Sequence, residues 1–129
     1  MVRRHELVHH EITGRVISAA FEVHSVLGVG LLESVYEAAL AEELARRSIA
    51  FGRQCSVPLV YKGRPLGKGF RVDLIVEQRV IVEVKSVDRV IPAHFSQLIT
   101  YMRLTGLRVG LLLNFNVPDL RNGIHRRVV

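Results

Sequence analysis

The apolar residues of this chain change their period once, near Gly52, and that change restricts the folds open to it. Before it, Ile12, Val16, Ala19, Ala20, Val23 and Leu27 recur at three- and four-residue steps. That spacing is one face of an amphipathic helix over about residues 8–27, and Gly28-Val29-Gly30 stops it. Leu32, Val35, Tyr36, Ala39, Leu40 and Leu44 repeat the pattern over about residues 31–47, with Glu33 in the first turn. After Gly52 the period is two. Val57, Leu59 and Tyr61 alternate with Ser56, Pro58, Val60 and Lys62, and Lys62-Gly63-Arg64-Pro65 reads as a turn. Residues 66–76 form a strand with Phe70, Val72, Leu74 and Val76 expected on one face. After the polar break Glu77-Gln78-Arg79, residues 80–87 are a strand rich in β-branched side chains. Pro92-Ala93-His94 opens a helix over about residues 94–105, ended by Gly106. Residues 107–115 are apolar but too short for a typical helix, so they are expected as a buried central strand. Residues 116–123 read as loop and 124–129 as an edge strand. The order α-α-β-β-β-α-β-β implies a mixed β-sheet flanked by helices, in the α/β or α+β class.

At 129 residues, with no Pro-rich linker, low-complexity tract or repeat, the chain is expected to be one domain over 1–129. Hydrophobic residues at 49% and charged residues at 23% exclude a disordered chain. No apolar run approaches the roughly 20 residues of a membrane span. The charged start, Met1 to Glu6, does not read as a secretory leader. A single cysteine, Cys55, allows no internal disulfide and fits a reducing compartment. These readings set the expected location as cytoplasmic. Eighteen Lys+Arg against 12 Asp+Glu give a formal charge of +6, which favours polyanionic partners such as nucleic acid.

Three charged residues interrupt the apolar strands. Glu83 and Lys85, two apart, point to the same strand face, and Asp73 breaks the preceding strand. A charge in a core is costly unless it is paired or binds metal. If Glu77-Gln78-Arg79 is a three-residue loop, Val76 pairs with Val80 and Asp73 falls opposite Glu83. A two-residue loop would put the carboxylates on opposite faces. Adjacent carboxylates suit an oxygen-preferring cation such as Mg²⁺ or Mn²⁺. A neighbouring ammonium can hold a phosphate oxygen or orient water while the metal stabilises the leaving oxygen. A structural ion pair at a sheet edge would account for the same three residues.

Asp73 and Glu83-Val84-Lys85, on adjacent strands followed by a helix carrying Gln97 and Tyr101, resemble the core of the PD-(D/E)XK nuclease superfamily. Gly30-Leu31-Leu32-Glu33-Ser34-Val35-Tyr36 further resembles the signature of the GxxExxY protein family. Val80 to Ser86, His94, Gln97, Tyr101 and the run from Gly110 to Phe115 extend that likeness over about residues 10–129. The proline that names the superfamily, before the first aspartate, is Val72 here. The resemblance implies a restriction-endonuclease-like core and a Mg²⁺-dependent nuclease, with Mn²⁺ as a substitute, acting on DNA. It implies Asp73 and Glu83 as metal ligands, the Val84 carbonyl as a third, and Glu33 as an outer ligand. Lys85 becomes the catalytic lysine, and Gln97 and Tyr101 position water, phosphate or the lysine. Small cores of this kind often work in pairs, so a homodimer is also implied.

The remaining candidates are weaker in pattern. Arg71 shares strand parity with Asp73 and is expected to line the same cleft, and His94, near a helix start, is expected to meet a phosphate. The six histidines show no zinc-ligand spacing, and Cys55 has no matched catalytic constellation. Gly28-x-Gly30 lacks the preceding strand and third glycine of a dinucleotide site, so no nucleotide cofactor is expected. The alternative function is a catalytically silent module of the same fold that binds nucleic acid or a protein.

Overall fold

Helices α1 (His10–Leu27) and α2 (Glu33–Arg46) come first, as the three- and four-residue spacing predicts, in a computed structural model that describes residues 7–67 and 69–129. The strands follow: β1 (Phe51–Val57), β2 (Val60–Tyr61), β3 (Arg64–Pro65), β4 (Phe70–Val76) and β5 (Val80–Lys85). Helix α3 (Pro92–Thr105), β6 (Val109–Asn114), a short 3-10 turn (Leu120–Gly123) and edge strand β7 (Ile124–Val128) complete the chain.

Several boundaries differ from expectation: the strand expected over 66–76 starts at Phe70, and the one expected over 80–87 ends at Lys85. The first strand starts at Phe51 and ends at Val57, and residues 60–65 form a separate small hairpin. Lys62 and Gly63, both at positive φ, make its turn, so Arg64 and Pro65 already belong to a strand. Pro65 is tolerated because this pair has no further strand to donate to.

The main sheet has five strands in the order β1-β4-β5-β6-β7. Only β5 and β6 run parallel. A parallel pair needs a long crossover, and α3 supplies it. Gly110 lets that helix sit close. A Cβ there would come within 2.8 Å of Leu98 Cδ1 and Met102 Sδ.

Two buried layers result. On one face Val16, Ala20, Tyr36, Leu40 and Leu44 of α1 and α2 pack on Leu74, Val82, Val84, Leu111 and Leu113. On the other, Leu98 and Met102 of α3 pack on Val72, Ile81 and Leu112. β5 and β6 therefore bury both faces, as a central parallel pair does.

One expectation about β4 is corrected here. Phe70, Val72, Leu74 and Val76 do not share a face. Phe70 and Val72 pack toward α3, whereas Leu74 and Val76 pack toward α1 and α2. β1 inverts in the same way, with Phe51 on the α1–α2 side and Val57 on the α3 side. The inversion is centred where Gln54 lies opposite Asp73, between the pairs Arg53↔Leu74 and Cys55↔Val72. Gln54 has φ 51°, a left-handed conformation that breaks the two-residue alternation. Parity counted through Asp73 is therefore invalid, and Arg71 is an exposed residue alternating with the α3-facing Phe70 and Val72.

Candidate functional site

The hairpin between β4 and β5 takes the odd-length loop. Val76 pairs with Val80, Ile75 with Ile81 and Leu74 with Val82. Glu77 and Gln78 both adopt positive φ, and Arg79 N–H donates to the Val76 carbonyl at 3.0 Å. This register carries Asp73 to Glu83, and the two side chains meet.

Asp73 Oδ2 accepts the Val84 N–H at 2.9 Å. Glu83 is 4% exposed, and its Oε1 is buried with no hydrogen-bond partner among the described residues. Its pKa is pushed up to about 9, first by burial, then by the hydrogen bond and negative charge of Asp73, with Lys85 pulling weakly the other way. A carboxyl in this state keeps its proton at neutral pH unless a cation replaces it. Lys85 is half-buried on the same strand face as Glu83. Tyr101 sits over this corner from α3, its ring stacked on Phe70 with centroids 4.3 Å apart. Its hydroxyl is shifted upward by burial and then by the charges of Glu83 and Asp73.

Glu33 stands at the exit of β5, where its Oε1 accepts the Ser86 N–H at 3.3 Å. Tyr36 explains how it gets there. The buried Tyr36 hydroxyl donates to the Gly28 carbonyl at 2.6 Å and accepts from Leu31 N–H at 3.3 Å. Its ring stacks on Phe115 at 4.8 Å. The tyrosine thus pins the α1–α2 turn to the sheet and sets the first turn of α2 beside Ser86. Ser86 Oγ also donates to the Leu31 carbonyl at 2.6 Å.

Among the described residues no hydrogen bond links the other expected residues to the pair. Gln97 is exposed on α3. His94 Nδ1 accepts the Ile91 N–H at 3.1 Å, so that side chain caps α3. Arg71 does not line the Asp73 corner by parity, because of the inversion described above.

Several polar residues around the site were not marked out by sequence. Glu37, one turn after Glu33, is 7% exposed and is held by Arg53 and Gln54. Asn114, 2% exposed at the end of β6, receives Val87 N–H at 3.1 Å and donates to the Val87 carbonyl at 3.0 Å. It extends the β5–β6 pairing by one side chain and holds the segment after Lys85. Asn116 ties that segment to Asp88 and to Gly30 N–H. An asparagine after an apolar run is the one available signal; the partners are not readable from it.

Among the described residues no group of three or more His, Cys, Asp or Glu gathers as a metal cluster. The donor set is two carboxylates, which suits a hard cation that keeps waters and takes phosphate oxygens, such as Mg²⁺. The unpartnered Glu83 Oε1 beside Asp73 is the observation that fits such an ion.

No curated protein and no solved structure gives a match to this chain. A family model for the PD-(D/E)XK nuclease superfamily matches residues 10–127, and the five-stranded mixed sheet between helical layers is consistent with a restriction-endonuclease-like fold. With the match covering all but the ends of the chain, this protein belongs to the PD-(D/E)XK nuclease superfamily.

Proposed function

We propose that the protein is a metal-dependent nuclease that hydrolyses phosphodiester bonds of DNA. The carrying observation is the Asp73–Glu83 pair, in which Glu83 is buried with one carboxyl oxygen unpartnered and Lys85 lies on the same strand as Glu83. Nucleases of this superfamily generally use divalent ions. Asp73 and Glu83 would hold Mg²⁺ or Mn²⁺, with the Val84 carbonyl as a third donor and Glu33 outside them. Once bound, the ion supplies Lewis-acid polarisation of the phosphate and lowers the pKa of a bound water.

The chain's own residues have separate tasks in this reading. Asp73, fixed by Val84 N–H, keeps its carboxyl aimed at Glu83. Lys85 orients the attacking water or holds a phosphate oxygen, and its charge would offset the negative charge that develops on the phosphoryl oxygens. Gln97 and Tyr101, at i and i+4 on α3, position phosphate, water or the lysine. His94 Nε2 and Arg71 contact backbone phosphates away from the reacting bond, adding affinity without sequence information. The G-x-x-E-x-x-Y segment supports membership of the GxxExxY group, and Tyr36 gives that motif a structural task. We read the chain as one domain acting in the cytoplasm, as a homodimer. Among the described residues no helix is long and apolar enough to cross a membrane.

The test is cleavage of a panel of labelled DNA and RNA substrates with Mg²⁺ or Mn²⁺, against Asp73→Ala purified in parallel. Metal-dependent cleavage, at least a hundredfold lower in the variant (about 3 kcal/mol of barrier), is the expected result. A folded wild type that cleaves nothing favours the silent binding module instead.

A further inference from the structure

At the point where β1 and β4 invert, a chain of hydrogen bonds runs from the α1–α2 layer to Asp73. Glu37 is buried on α2, and both its oxygens are held: Oε2 by Arg53 Nε at 2.8 Å, Oε1 by Gln54 Nε2 at 2.7 Å. The same Gln54 nitrogen lies 3.5 Å from Asp73 Oδ1, the long end of hydrogen-bond range. Its two hydrogens thus face two different carboxylates, an orientation the amide oxygen could not take without facing negative charge. Gln54 reaches this place only through its left-handed backbone, at φ 51°. Glutamine has no special tolerance for that conformation, so the surrounding structure enforces it.

We propose that Gln54, clamped by Glu37, is a positioning residue that orients the Asp73 carboxyl toward Glu83. Asp73 is then held at both oxygens, by Val84 N–H on Oδ2 and by the amide on Oδ1. Such outer contacts fix the direction of a ligating carboxylate before the ion arrives. The inference rests on the metal reading of Asp73 and Glu83 given above.

The experiment is Mn²⁺ titration by calorimetry, with the thermal midpoint of each metal-free protein measured alongside. Gln54→Gly and Gln54→Asn both accommodate positive φ, so neither strains the backbone, and asparagine is too short to reach both carboxylates. Both variants are expected to bind Mn²⁺ about 10–100-fold more weakly while melting within a few degrees of wild type. Arg53→Ala removes the other bond to Glu37 and is expected to keep wild-type Mn²⁺ affinity. Asp73→Asn is expected to lose binding. Unchanged affinity in both Gln54 variants, with binding lost in Asp73→Asn, overturns the positioning role and leaves the metal reading standing. Equal weakening by Arg53→Ala also overturns it, because a general loosening around Glu37 would then suffice. Mn²⁺ that fails to bind wild type, or binds Asp73→Asn equally, overturns both.

Discussion

Glu83 keeps its proton to about pH 9, against an ordinary value of 4.5, because it is buried beside another carboxylate. Between those two values the unfolded chain releases that proton and the folded chain retains it. The contribution of Glu83 to the stability of the metal-free protein is therefore fully present below about 4.5 and is lost as pH climbs toward 9, by several kcal/mol in order of magnitude. Glu83→Gln, which resembles the protonated side chain, is expected to flatten this slope and to match or exceed wild type at about pH 8. Thermal midpoints taken from about pH 5 to about pH 9 check it; parallel slopes would contradict it. Asp73, Glu83 and Lys85 were legible in sequence because charge is conspicuous within apolar strands. Glu37 was not, since a glutamate on a helix looks solvated until β1 covers it. Gln54 gave no sign either, because its residue type does not announce a left-handed backbone.

The elements themselves follow their local periods closely, and the odd-length loop between β4 and β5 puts the carboxylates together. What alternation could not show is the point at which β1 and β4 change faces, since neither the left-handed Gln54 in β1 nor the residues opposite it in β4 announce the break by type. Tyr36 acts at this scale too. Its hydroxyl closes the α1–α2 turn, and Glu33 reaches Ser86 only because that turn is closed. Tyr36→Phe leaves the ring stack intact but strands the Gly28 carbonyl and the Leu31 N–H. It is expected to cost about 1–3 kcal/mol in a denaturant titration. An unchanged midpoint would mean the turn is held by packing alone.

Across the whole molecule, three layers converge on one corner of the sheet. β4 and β5 supply the carboxylates and the lysine, α3 supplies Tyr101, and α2 supplies Glu33 at the strand exit. On the proposed reading, Asp73 and the buried Glu83 at this corner form a divalent-cation site in which an ion takes the place of a proton. Mn²⁺ titration of the wild type in two buffers of different ionisation enthalpy tests it most directly. One ion per chain is expected, with close to one proton released at neutral pH and fewer as pH rises toward 9. Absence of binding, or binding without proton release at neutral pH, would contradict it.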